Sequence, residues 1–308
     1  MKKSKTITTL VILFLSFIWG STWVAIRFGL EEMPPFLFAS CRFFLATFIL
    51  YVYMAGRGLR LPKDWHSWRV MLVLGFFQAA DYMFVFWGEQ YVNAGIGAIL
   101  FATMPFFVVI LNFLMAKKHE MTWTQVLGIA ISFLGVVLIF ADDLAFRDIA
   151  YLGGLAMIIA AICGAYISVF AKLHANAIHP VTNTFVQMTM SALLLGLLGL
   201  ITNDVAAFEL TWTGAIAIVY LGLFGSAIAF VLYMWVIREV TVIEAAVIPL
   251  LTPIAAVVLG WLVRDEQFGP RVLTGGFLIL FGVYLVNVFA SVRKFNSTPA
   301  KSPSIERI

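Results

Sequence analysis

Residues 93–116 read NAGIGAILFATMPFFVVILNFLMA, a run without a formal charge and with Pro105 near its middle. A helix needs about 20 mostly apolar residues to cross the hydrocarbon core of a bilayer. This run is long enough. It is also uniformly apolar rather than alternating, which argues against a strand of a membrane barrel. Working outward, the same pattern returns at 8–30, 36–55, 69–88, 122–141, 151–171, 181–201, 212–235, 243–263 and 271–291. The expectation is an all-α membrane protein of ten transmembrane helices. Short separators, such as Glu31-Glu32-Met33-Pro34-Pro35, make consecutive helices antiparallel.

Composition points the same way. Of 308 residues, 62% are hydrophobic and only 12% charged, against about 25% charged in soluble domains. The net charge of +4 does not signal nucleic acid, because Lys and Arg sit in short loops between apolar runs. Such loop charges set orientation. With the N-terminus in the cytoplasm, that side collects Lys2, Lys3, Lys5, Arg57, Arg60, Lys63, Arg69, Lys117, Lys118, Lys172, Arg238 and the cluster from Arg293 to Arg307. The opposite side holds Arg147, Arg264 and Arg271, so the reading is N-in/C-in. The apolar stretch from Leu10 outlasts a leader peptide and lacks a clear small-residue cleavage site, so it reads as a retained first helix. Residues 292–308 read as a cytoplasmic tail, disordered in its polar, proline-containing end from Thr298.

Cys41 and Cys163 lie inside apolar runs, and no histidine has a Cys or carboxylate cluster at ligand spacing. Neither a disulfide framework nor a metal site is expected. No phosphate-binding glycine loop, nucleophile elbow or HExxH segment is present, so the chain reads as neither an enzyme nor an ATP-driven pump, and no cofactor is expected.

The opening run has a second copy. Ala98-Ile99-Leu100 and Pro105 are mirrored by Ala246-Val247-Ile248 and Pro253, and Gly75-Phe76-Phe77 by Gly222-Leu223-Phe224. Glu120 precedes Gln125-Val126-Leu127-Gly128 as Glu266 precedes Arg271-Val272-Leu273-Thr274-Gly275. Pro35 and Arg42 share their spacing with Pro180 and Gln187. The halves, 8–141 and 151–291, hold five helices each. An odd number makes the second copy enter the bilayer from the opposite side, which is the inverted repeat of many secondary transporters.

Phe17-Ile18-Trp19-Gly20-Ser21-Thr22-Trp23, then Pro34-Pro35 and Arg42, resembles the opening of an EamA domain of the drug/metabolite transporter superfamily. The paired prolines and the paired glutamates, Glu120 and Glu266, fit the same pattern over nearly the whole chain. The second half departs from it with Cys163-Gly164 in place of Trp19-Gly20 and Gln187 in place of the arginine. The resemblance implies two EamA repeats around a central pathway, a multi-pass place in the bacterial inner membrane, and export of amino acids or related metabolites.

Asp81 is the sharpest single signal, a carboxylate near the middle of the third span. Such a group costs about 2.5–3.5 kcal/mol on insertion scales, and it reads as a substrate-amine or proton site more readily than as a helix-to-helix hydrogen bond. Gln78 and Tyr82 share its helical face. Arg42 suits a substrate carboxylate by its fork geometry, although a helix tie or an outward-reaching side chain explains it better; Arg27 reads as outward-reaching. Trp19 and Trp23 are candidates for stacking on a substrate, with packing as the ordinary alternative. Glu244 opens a pathway helix, yet Glu89 and Glu244 both read first as solvated span ends. Glu120 and Glu266 read as stabilising the starts of the fifth and tenth helices. Pro105 and Pro253 read as paired helix breaks, marking a binding site or a static kink. Gly128, Gly135, Gly275, Gly276 and Gly282 allow close helix approach, within the chain or in a homodimer.

The function that collects these features is a secondary transporter exporting small amphipathic metabolites by alternating access. Its partners are a small-molecule substrate and the bilayer, with no nucleic acid. Uptake or exchange of another metabolite class, and a receptor or scaffold without transport, are the competing readings. The short loops weigh against the last.

Overall fold

The computed structural model describes residues 2–116, 123–141, 149–202, 205 and 208–296. It is all helix among these residues. The rods are α1 (Lys2–Leu30), α2 (Pro35–Arg57), α3 (Trp65–Gly88), α4 in two pieces (Ala94–Phe101 and Met104–Ala116) and α5 (Trp123–Phe140). They continue with α6 (Ala150–His174), α7 (Pro180–Ile201), α8 (Trp212–Glu239), α9 in two pieces (Val242–Ala245 and Val247–Arg264) and α10 (Pro270–Asn296). Eight are long and apolar enough to cross a membrane; α5 and α10 carry shorter apolar runs, Val126–Phe140 and Pro270–Leu285. The last helix runs past the 291 boundary read from the sequence, and the segment from Thr298 lies outside the described residues.

Local chemistry sets the ends. Pro35 occupies the first turn of α2, where its missing N–H leaves no bond unmade, and Gly58 closes that helix at φ 63°. Asp64 caps α3 by accepting the Ser67 N–H at 2.7 Å, and that bond holds its carboxyl below the ordinary aspartate value. Thr241 and Glu244 form a reciprocal capping box at the start of α9.

The packing is repeated as well as dense. α1 lies chiefly on α9 and α4 on α6; α3 lies on α6 and α1 on α8; α2 faces α7 and α5 faces α10. Every pairing has its counterpart in the other half. The α5–α10 contact is close because of glycine. A β-carbon on Gly135 would stand 2.5 Å from Gly275 O, and one on Gly275 would stand 2.7 Å from Gly135 O. Gly282 presses on Gly128 O and Ser132, and Gly276 on Ile99. The glycine stripe that suited a homodimer is therefore used inside the chain.

Between the third and fourth helices of each half the sequence copies differ by one residue. Gly222 follows Gly75, and Ala246 follows Ala98, with the second pair one residue further apart. Between them, Leu221–Ile228 of α8 is wound as a π-helix, whose wider turn takes up an added residue.

Polar groups tie the rod ends together. At one end of the bundle Glu266 accepts the N–H groups of Ala94 and Gly95 at 3.0 and 3.2 Å, so it caps α4 in the other half rather than its own helix α10. Unlike α9, α4 receives no side-chain cap from its own N-cap residue, Asn93. Glu120 lies outside the described residues. Glu32 accepts the Thr211 hydroxyl and the Gly214 N–H, and Glu31 pairs with Arg264. Arg27 does not reach outward: its guanidinium donates to Glu89 O at the end of α3. The Glu89 side chain is fully buried, not solvated. At the other end Lys172 of α6 donates to Ile237 O and Val240 O, each at 2.7 Å. A cation late in the first helix of each half thus caps the third helix of that half.

Candidate functional site

Where the halves meet, six helices surround a cavity of about 70 Å³, room for several water molecules. α1 supplies Trp19, Thr22, Trp23 and Ile26, and α3 supplies Gln78, Asp81, Tyr82 and Val85. Each set recurs at intervals of three and four residues, so each is one stripe of a helix. The remaining wall comes from Phe101 and Met104 of α4, Gly164 and Ile167 of α6, Phe230 and Tyr233 of α8, and Pro249 and Thr252 of α9. The lining follows the repeat: Phe101 and Met104 stand to Pro105 as Pro249 and Thr252 stand to Pro253.

Neither Pro105 nor Pro253 is itself a lining residue, and they are not paired breaks. The α4 rod is interrupted at Ala102 and Thr103, just before Pro105, whereas Pro253 sits inside continuous helix and the α9 interruption falls earlier, at Ala246. Thr252, immediately before Pro253, donates its hydroxyl to Pro249 O at 2.9 Å.

Asp81 is 6% exposed, and Oδ1 has no hydrogen-bond partner among the described residues. Gln78, one turn away, is fully buried with both amide atoms equally unpartnered. Two polar side chains desolvated at one place are costly unless a ligand, proton or water meets them. The register places Ile228 or Ala229 of α8 opposite Asp81, so the acid has no twin.

The surrounding rings pack edge-on or tilted against one another. Trp19 lies 5.0 Å from Tyr233 and 5.2 Å from Phe230, and its indole N–H donates to Gly225 O at 3.3 Å. Trp23 lies 5.6 Å from Phe101, and Tyr82 lies 6.1 Å from Phe230. The Tyr233 hydroxyl shares a 2.7 Å bond with Ser168.

Arg42 stands outside the lining. It is 1% exposed, and Nε and Nη2 donate to Ser226 Oγ at 3.1 and 2.9 Å, tying α2 to the π-turn of α8. Its guanidinium lies 4.9 Å from the centre of the Tyr82 ring, behind that side chain. Glu244 is not at the cavity either: its carboxylate accepts the N–H and hydroxyl of Thr241 at 2.7 and 2.8 Å. The structure thus brings together Asp81, Gln78, Tyr82, Trp19 and Trp23. Sequence reasoning had no hold on Thr22, Gly164, Phe230 or Tyr233, although Phe230 and Tyr233 occur at helical spacing. Among the described residues no group of three or more His, Cys, Asp and Glu is placed to hold a metal ion.

Comparison with known proteins adds an independent line. The model of the EamA-like transporter family matches residues 6–141 and again 151–288. An uncharacterized transporter, YoaV, of Bacillus subtilis (strain 168) is 26% identical over 92% of this chain and 97% of its own length. An uncharacterized inner membrane transporter, YedA, of Escherichia coli (strain K12) is 28% identical over 95% of this chain and 94% of its own. A solved crystal structure shares the fold with a TM-score of 0.69 at 19% identity, covering 95% of this chain and 99% of that one.

Proposed function

The chain belongs to the EamA-like transporter family, and on that premise we propose that it exports small amphipathic metabolites by alternating access at the Asp81 cavity. It is a secondary transporter and not an enzyme. The observation that carries the finer reading is the cavity itself: a buried acid and amide in an aromatic wall, at the centre of two matched sets of helices. Residues 8–141 and 151–291 act as inverted halves in a chain of ten spans, N-in/C-in. Alternating access has α1, α3 and α4 part from α6, α8 and α9 to admit the substrate from one side at a time. Asp81 takes the amino group of the substrate, or a proton in the return step. Gln78 supplies a second polar contact, and Trp19, Trp23 and Tyr82 hold the apolar body. The location is the cytoplasmic membrane, the inner membrane of a bacterium with two, as for the inner membrane transporter of Escherichia coli that this chain resembles.

The test is to overproduce the chain in a bacterium and profile the medium by mass spectrometry against an empty vector. One compound class accumulating outside, with a matching fall inside, supports export. No change despite confirmed membrane expression sinks it.

A further inference from the structure

We infer that the substrate is an organic monocation, an amine with an aromatic or similarly apolar body and no carboxylate. The inference rests on the transport reading above and narrows it. Among the described lining residues Asp81 is the one formal charge, and it is negative. A cation entering the cavity restores neutrality to a carboxylate that is otherwise alone in low dielectric, whereas an anion adds a second uncompensated charge.

The wall suits the same chemistry. Trp19, Trp23, Tyr82, Phe101, Phe230 and Tyr233 present rings from four helices. Aromatic faces attract ammonium groups, most strongly where water is excluded. Gln78 Oε1 is a free acceptor for a second N–H of the amine.

A carboxylate finds no cationic partner in the lining. Arg42 is outside the lining, behind Tyr82: Nε and Nη2 donate to Ser226, Nη1 has no partner among the described residues, and the guanidinium packs against Phe43, Tyr82 and Phe86 at 5.0, 4.9 and 5.6 Å from their ring centres. The hydroxyls of Thr22 and Thr252 already donate to Trp19 O and Pro249 O, and Tyr233 is bonded to Ser168. The lining donors that remain, the Gln78 amide, the Trp23 indole N–H and the Tyr82 hydroxyl, are all neutral, and Gln78 and Tyr82 stand beside the Asp81 charge on α3.

Four compounds with one phenethyl body separate the possibilities: phenethylamine, phenylalanine, 3-phenylpropionate and 2-phenylethanol. Their binding to the purified full chain in nanodiscs is followed by tryptophan fluorescence, since Trp19 and Trp23 line the cavity. Phenethylamine is expected to bind at least about tenfold tighter than the other three. Asp81→Asn is expected to level the series, and Asp81→Glu to keep its order. Equal or tighter binding of phenylalanine, the acid or the alcohol overturns the inference, and so does failure of the amine to bind. Proteoliposome counterflow distinguishes the two levels of the argument. Amine-selective binding without flux sinks the transport reading alone, and flux of phenylalanine in preference to the amine sinks the cation inference alone.

Discussion

A β-carbon built on Gly164 of α6 would stand 3.6 Å from Asp81 Oδ2 on α3. The same carbon would meet Met104 Sδ at 3.3 Å and Phe101 Cζ at 3.4 Å. Glycine at 164 keeps the space before the carboxylate open. Gly164→Ala needs neighbours to give by only a few tenths of an ångström, so folding and flux are expected to survive. Gly164→Leu fills the cavity and is expected to lower flux by about tenfold or more, the equivalent of about 1.4 kcal/mol, with membrane expression near normal. Proteoliposome flux beside a quantified membrane fraction checks both, and unimpaired flux in the leucine variant would place the substrate elsewhere.

Asp81→Asn keeps the shape and removes the charge. Because the charge is costly at this depth, the variant is expected to insert and melt at least as well as the parent. Loss of a charged contact worth about 1.5–3 kcal/mol lowers flux by roughly tenfold to a hundredfold. Flux of normal size and normal pH dependence would remove Asp81 from the mechanism.

The sequence was most legible where a membrane imposes a pattern. Long apolar runs marked the rods, and a buried acid marked α3, because charge is rare enough there to stand out. Trp19 and Trp23, singled out as aromatics able to stack on a substrate, line the same cavity as Gln78, Asp81 and Tyr82. End contacts were not legible. Glu266 looked like a cap for the helix that follows it in sequence, but the bare N–H groups nearest in space belong to α4. Glu89 looked solvated because it ends a span, yet its side chain is fully buried. The prolines misled for a related reason: Pro253 is accommodated inside α9, and the cavity contacts come from the residues one and four before each proline.

Removing the cross-half cap tests how far α4 depends on it. Glu266→Ala leaves the Ala94 and Gly95 N–H groups without their carboxylate and is expected to cost about 1–2 kcal/mol, read as a lower melting temperature in detergent. Glu266→Gln retains an acceptor and loses less. An unchanged melt in the alanine variant would show that solvent or another group serves α4 equally well.

The Glu31–Arg264 pair predicts a small effect of acid. The hydrogen bond from Arg264 holds the Glu31 carboxyl below its ordinary value of 4.5. Its contribution is present above that value and is lost as pH falls through the lowered one. Glu31 is 50% exposed, so the pair is worth less than about 1 kcal/mol. Arg264→Gln is expected to melt slightly below the parent at pH 7, with the difference closing below the glutamate range. A gap that widens in acid contradicts this.

Orientation has its own test. Reporter fusions within 57–63 are expected to read cytoplasmic, and fusions within 142–148 the opposite side. The reverse pattern overturns N-in/C-in.

The packing of α1 on α9 has a consequence for the order of manufacture. Synthesis delivers α1 to the bilayer first, while Val247–Arg264 emerges only after most of the chain has been made. The first helix must therefore wait in lipid without its two main partners, held by its own hydrophobicity and flanking lysines, until α8 and α9 arrive late in synthesis.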